Sequence, residues 1–269
     1  MNSLKTLGAA LTCAAAALAP AHAHAADWAD NEIQLLHGTR FHDVGNDVDT
    51  TKNILTLQHA SGYKYGSNFF FVDMLKSGEN DENAAEVYGE YYHTLSLSKT
   101  AGWSFGGKDG FLRDIGITTG INYGTKNSTF RPNPKVLLAG PRFDLNLPGF
   151  AFFNVDVLAY HDRSTFGGFG GGYSCGERKT TYQVTPAWAL PFSLGSAKFS
   201  FEGFADFIGS HGTCKAQILT QPQLRWDVGN HFGKPGTVFL GVEFQYWKNK
   251  FGIDGRRESL PQALLVWKL

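Results

Sequence analysis

Ala85-Glu86-Val87-Tyr88-Gly89-Glu90-Tyr91-Tyr92-His93-Thr94-Leu95-Ser96-Leu97-Ser98 decides the fold. Read at period two, Glu86, Tyr88, Glu90, Tyr92, Thr94 and Ser96 share one face, while Val87, Gly89, Tyr91, His93, Leu95 and Leu97 share the other. The first face is too polar for a packed core. The run also exceeds the roughly five or six residues of an ordinary soluble strand, and suits a tilted strand that crosses a bilayer in about 9–11 residues.

The same alternation recurs on both sides of this stretch, interrupted by Gly/Asn/Asp/Pro/Ser clusters. Twelve segments are expected: Ile33–Phe41, Asn53–Ser61, Ser67–Leu75, Ala85–Ser98, Phe111–Tyr123, Lys135–Leu145, Phe150–Tyr160, Lys179–Leu190, Ala197–Ile208, Ala216–Val228, Thr237–Trp247 and Ser259–Leu269. In the tenth, Leu224, Trp226 and Val228 oppose Gln223, Arg225 and Asp227. In the eleventh, Val238, Leu240, Val242, Phe244 and Tyr246 oppose Glu243 and Gln245. An even strand count, with the last segment ending the chain, predicts an all-β fold: a twelve-stranded antiparallel transmembrane β-barrel of the bacterial outer membrane, closing first strand on last.

Composition agrees. The chain has 269 residues with 24 Lys+Arg and 24 Asp+Glu, a balance that argues against a nucleic-acid partner. Glycine (32) and phenylalanine (22) are both abundant. Past the N-terminus no stretch approaches the roughly 20 apolar residues of a membrane helix. Lys5, the Ala/Leu-rich run Leu7–Ala19, Pro20 and Ala21-His22-Ala23-His24-Ala25 read as a cleaved secretory signal over 1–25, leaving 26–269 as the barrel domain. Among charged residues that cleavage removes only Lys5, so the mature net charge is −1. Cys13 leaves with the signal. Cys175 and Cys214 remain, and an even count in an exported chain favours a disulfide. The strand count places both in outer loops, the fourth (161–178) and the fifth (209–215), at one end of the barrel.

The remaining connections alternate in character. Outer loops run over 42–52, 76–84, 124–134 and 248–258, and inner turns such as Asn146-Leu147-Pro148-Gly149 are tight, although 99–110 and 229–236 are longer than periplasmic turns usually are. Phe41, Tyr63, Tyr123, Phe150, Tyr160, Phe192, Tyr246 and Trp267 near segment ends are expected to form interfacial belts.

Little points to catalysis, and no enzyme activity, metal or cofactor is expected. Gly172-Tyr173-Ser174-Cys175-Gly176 has the GxSxG spelling of a nucleophile elbow, but follows the glycine-rich run 166–171 with no helical pattern behind it, and reads as a surface loop. The seven histidines of the mature chain are scattered without ligand spacing. His93 and Ser96 differ in parity and cannot share a face.

The functional signal is aromatic residues sharing a strand face with carboxylates. Phe69, Phe71 and Asp73 have one parity, leaving Phe70, Val72 and Met74 for lipid; Tyr88, Glu90 and Tyr92 repeat the pattern. Phe152, Asn154, Asp156 and Tyr160 do so again, as do Glu202, Phe204 and Asp206. Such a lumen suits a flat, polar, uncharged solute: aromatic faces stack on a heterocycle at about 1–3 kcal/mol per base, and carboxylates accept from sugar hydroxyls. Weak repeated sites permit entry and exit. The plainer alternative pairs Asp73, Glu90, Asp156, Glu202 and Asp206 with Arg40, Arg113, Arg142, Lys198 and Arg225 as structural ion pairs.

Gly62-Tyr63-Lys64-Tyr65-Gly66-Ser67-Asn68-Phe69-Phe70-Phe71-Val72-Asp73, followed by Tyr88-Gly89-Glu90-Tyr91-Tyr92 and Leu95-Ser96-Leu97-Ser98-Lys99, resembles the nucleoside-specific channel family of bacterial outer membranes, the Tsx/OmpK-like proteins. The resemblance implies a monomeric twelve-stranded barrel with a narrow pore in the outer membrane of a Gram-negative bacterium, passive nucleoside uptake, and outer loops able to serve phage as a receptor. It supports Phe69, Phe71, Asp73, Tyr88, Glu90 and Tyr92 as lining residues, and does not extend to Asp156 or Glu202. The chain departs from the usual terminal phenylalanine in ending Trp267-Lys268-Leu269. Two rivals remain: a closed receptor or structural barrel, and a lipid-modifying barrel enzyme.

Overall fold

The computed structural model describes residues 26–44, 46–106, 110–167 and 174–269; the signal segment, Gly172 and Tyr173 lie outside the described residues. Twelve barrel strands follow in order: β1 (Trp28–Phe41), β2 (Thr50–Tyr63), β3 (Gly66–Ser77), β4 (Ala85–Ser96), β5 (Leu112–Lys126), β6 (Lys135–Leu145), β7 (Phe152–Asp162), β8 (Thr180–Leu194), β9 (Ala197–Ile208), β10 in two halves (Gln217–Thr220 and Gln223–Asp227), β11 (Val238–Lys248) and β12 (Arg257–Lys268). Each pairs antiparallel with its neighbours. The cylinder closes where β1 meets β12, Glu32 opposite Lys268 and His37 opposite Ala263. Closure leaves no strand edge, as a bilayer requires, because an unpaired backbone amide in hydrocarbon costs several kcal/mol.

Alternation sorts the side chains as the sequence implies. Leu35, Leu57, Phe70, Val87, Tyr91, Leu95, Ile117, Ile121, Leu137, Phe201, Leu224, Leu240, Val242 and Phe244 stand exposed on the outer wall. Glu32, Gln34, Thr94, Thr118, Asn122, Asp156, Gln183, Asp206, Arg225, Glu243 and Gln262 are buried inside. An apolar exterior around a polar interior inverts a soluble core and identifies the outer wall as the lipid-facing surface.

Three expectations need correction. β4 ends at Ser96 rather than Ser98, because residues 97–101 turn into a short helix. The Ser96 hydroxyl accepts from the Lys99 N–H, capping that helix, and donates to Asp114, whose other oxygen accepts from the Ser98 N–H. The tenth strand is not continuous. Gln221-Pro222 interrupts it, since proline has no amide to give the ladder. Opposite the break, Gly203 sits at φ +148°, and a Cβ there would lie 2.7 Å from the Gln221 carbonyl oxygen, so glycine admits the kink. Of the two long inner segments, the first begins with the capped helix over 97–101, and 229–236 holds a 3₁₀ turn, Gly229–Phe232, tied to Asp227 by the Asn230 and Gly236 amides. Lastly, Phe41 and Tyr160 do not belong to an interfacial belt. Both face inward and are buried, whereas Tyr123 and Trp267 are more than half exposed at strand ends.

Candidate functional site: the lumen

One side of the interior is filled by a continuous polar network. On the filled side, formed by β1 and β10–β12, the Arg225 guanidinium lies 3.0 Å from Glu32 and 3.2 Å from Glu202, and its Nε donates to Gln223 at 2.7 Å. Gln223 in turn donates to Glu243 at 2.6 Å and to Gln34 at 3.2 Å, and Gln262 donates to Glu243 at 2.8 Å. Lys268 reaches Glu32 at 2.9 Å from the inner end. Arg225, Glu32, Gln34, Gln223, Glu243 and Gln262 are almost fully enclosed, while Glu202 and Lys268 are partly exposed. Each buried charge has a partner, as burial demands.

The opposite side carries the residues singled out in the sequence. Phe69, Phe71 and Asp73 on β3, and Tyr88, Glu90 and Tyr92 on β4, all face the lumen and are only half-buried. The rings form a ladder: Phe69 to Phe71 is 6.2 Å between centroids and Phe71 to Tyr88 is 6.0 Å. Glu90 accepts from the Tyr88 hydroxyl and, at 2.9 Å, from the Asn122 amide, which itself accepts from Tyr92 at 3.2 Å. Asp73 accepts from Thr56. Across the barrel, Asp206 accepts from Thr185 at 2.6 Å and Gln183 at 3.1 Å.

The five carboxylates singled out by parity therefore do not share one role. Asp156 is clamped by Arg142, with Nε and Nη2 at 3.1 and 2.8 Å, and Glu202 is paired with Arg225. For these two the structural ion-pair reading holds. Asp73, Glu90 and Asp206 are held by neutral donors, and among the described residues none forms a salt bridge. Arg40, Arg113 and Lys198 are exposed and take no part, Arg113 donating instead to Asn146. Phe152, placed with Asp156 by parity, is exposed at its strand end. Asn122, Thr56, Thr185 and Gln183 were missed. Their inward parity was legible, but neutral donors carry no signal in a search for charge and aromaticity.

The outer mouth is narrowed by loops folded inward. Asp43 from the first outer loop is ringed by Lys52 at 2.9 Å, Lys126 at 2.8 Å and Lys250 at 3.0 Å. Lys126 also meets Asp81 at 2.6 Å, and Lys250 meets Glu258 at 2.9 Å. Burial alone would raise the Asp43 carboxyl; the three ammonium groups outweigh it and hold the carboxyl far below the ordinary range. Burial alone would lower the Lys250 ammonium, and Asp43 with Glu258 outweighs it, holding its pKa well above the usual lysine value. Beside this cluster, Phe130, Phe166 and Phe251 from three different loops pack together, with centroids 5.4–6.0 Å apart. Phe251 takes a left-handed backbone, φ 57°, which is strained for a bulky residue.

Cys175 and Cys214 form a disulfide with Cα atoms 5.1 Å apart, joining the fourth and fifth outer loops. No histidine cluster was legible in the sequence, yet His211 is buried beside the bridge, its Nε2 2.9 Å from Asp162. Both sulfurs are committed to each other, so the group is a structural knot. His93 faces outward, 2.9 Å from Asn68 through Nδ1, and Ser96 faces inward, so that pair forms no dyad. The Ser174 hydroxyl accepts from the nearby Gly176 N–H.

No known protein family matches the sequence, and no curated protein matches it. Solved structures do resemble the barrel. The KdgM porin in complex with disordered oligogalacturonate is 10% identical, covering 88% of this chain and 99% of its own, with a TM-score of 0.44. The translocator domain of autotransporter NalP from Neisseria meningitidis is 13% identical over 99% and 96%, with a TM-score of 0.39. The β domain of the Bordetella autotransporter BrkA is 10% identical over 90% and 99%, with a TM-score of 0.39. What this chain has in common with them is the closed antiparallel barrel.

Proposed function

We propose that this protein is an outer-membrane diffusion channel, selective for nucleosides, that works as a monomer without cofactor or catalysis. One observation carries the reading: the half-buried strip of the lumen is the strip that combines an aromatic ladder, Phe69–Phe71–Tyr88, with carboxylates held by neutral donors. A base slides between successive rings, each contact worth about 1–3 kcal/mol, while Asp73 and Glu90 accept from ribose hydroxyls. The filled side supplies rigidity, and Asp156 and Glu202, already neutralised by arginine, shape the path rather than bind. Sites of this strength exchange quickly, as transport needs.

Flux into liposomes tests it. Phe71→Ala and Tyr88→Ala should each slow thymidine entry several-fold while leaving salt conductance equal or higher. Equal entry of thymidine and a size-matched sugar through the unaltered protein would refute the selectivity. A second reading, a barrel closed to solutes whose outer loops engage a partner such as phage, is favoured by the inward-folded outer mouth, and complete absence of conductance would select it.

A further inference from the structure

A groove of about 650 Å³ lies on the outer wall around the seam where β1 meets β12, on the opposite face of the wall from the lumen. Its floor and rim follow from the register. One horizontal row across β11, β12, β1, β2 and β3 is Leu240, Leu265, Leu35, Leu55 and Met74, wholly apolar. Two residues further toward the outer end, about 6.8 Å along the strands, the matching row is Val242, Ala263, His37, Asn53 and Lys76. Ala263 is the small member of that row and forms the depression. Lys76 lies one residue from the outer end of β3, so on β1–β3 the polar groups sit near the outer end of the wall, while Val242 and Phe244 carry the apolar wall further on β11.

The chemistry of the row is one-sided. Lys76 donates to the Asn83 carbonyl and keeps further N–H groups, and among the described residues no carboxylate pairs with it. His37 Nδ1 lies 2.8 Å from Asn53 Oδ1, so the imidazole donates to the carboxamide oxygen and the Asn53 NH₂ is left to donate elsewhere. The groove lining contains no Asp or Glu. A cation and amide donors above an apolar trough, on a surface that faces lipid, match a molecule with an anionic head and acyl chains.

We propose that this groove binds a phosphate-bearing glycolipid of the outer leaflet, its phosphate held by Lys76 and Asn53 and one acyl chain lying over Leu35 and Leu55 beside Ala263. The site needs only that the wall faces lipid and is independent of what the lumen carries.

Native mass spectrometry of the intact barrel, released from detergent with diphosphoryl lipid A or its dephosphorylated form, tests this. The unaltered protein should retain the diphosphoryl form and lose most of it when the phosphates are removed. Lys76→Gln should weaken retention roughly tenfold, the scale of one charge-assisted contact. Lys135→Gln, a lysine at the outer end of β6, should not. Ala263→Phe, at a lipid-exposed position where a ring is tolerated, should block retention by filling the trough. Equal retention by Lys76→Gln and the unaltered protein, indifference to the phosphates, or displacement by millimolar inorganic phosphate alone would each overturn the proposal.

Discussion

Arg225→Met removes the cation that organises the filled side of the lumen. The methionine stem replaces most of the arginine's aliphatic packing, so the effect is chiefly electrostatic. At an effective dielectric of about 20, an ion pair at 3.0–3.2 Å is worth about 5 kcal/mol before desolvation, and losing one partner of a buried pair costs about 3–5 kcal/mol net. The two carboxylates do not suffer equally. Glu32 keeps Lys268 at 2.9 Å, whereas among the described residues Glu202 keeps only the Ser200 hydroxyl, at 2.6 Å. Glu202 is also 23% exposed to the lumen, which softens its isolation. The expected loss is therefore at the lower end, about 3 kcal/mol, measured as the shift of the urea unfolding transition in lipid vesicles. Adding Glu202→Gln should return most of it, leaving the double variant within about 1 kcal/mol of the parent. A single variant that loses less than about 1 kcal/mol, or a double variant no better than the single, would refute the assignment of Glu202 as the stranded charge.

The outer mouth predicts a pH window. The Asp43 carboxyl is depressed in the folded state, so its stabilisation is complete above the unfolded value near 3.9 and declines as pH falls below it. Lys250 is raised, so its contribution is complete below about 10.4 and declines as pH rises beyond; urea midpoints across pH should form a plateau with those two shoulders, and Asp43→Asn should remove the acid one. Reducing the Cys175–Cys214 bridge, a sequence separation of 39, should cost about 4 kcal/mol by loop-closure entropy, read as the difference between oxidised and reduced unfolding curves; coincident curves would show that the two loops are held by other contacts. Phe251→Gly takes a ring out of the three-loop aromatic cluster and relieves a left-handed backbone, so single-channel conductance should rise while stability stays within about 1 kcal/mol. Ser96→Ala removes a helix cap and a donor to Asp114 and should cost about 1 kcal/mol.

The architecture was legible because parity is a coarse and repeated signal. Tyr88, Glu90 and Tyr92 alternating with Val87 and Tyr91 fixes which face meets lipid, and one such strand constrains its neighbours through register. The strand ends were not legible to the same degree. Period two continues through Leu97 and Ser98, and nothing local in the alternation announces that Ser96 will cap a helix with help from Asp114, a residue on the next strand. The break at Pro222 carried a signal, proline within a run, that the surrounding alternation masked. At the site, sequence correctly oriented all of Phe69, Phe71, Asp73, Tyr88, Glu90, Tyr92, Asp156 and Glu202 inward. It did not say which carboxylates would find an arginine. That depends on closure: Arg225 reaches Glu32, 193 positions away in sequence, only because the cylinder closes. The buried His211 beside the disulfide was invisible because its partner Asp162, at the end of β7, is 49 positions away in sequence.

Single-channel recording of the refolded protein in a planar bilayer, with thymidine, adenosine and then glucose added at equal concentration, tests the central claim most directly. The account predicts small channels whose current is interrupted by both nucleosides and not by glucose, with the interruptions shortened in Phe71→Ala. Channels indifferent to nucleosides, or a barrel that never conducts, would contradict it.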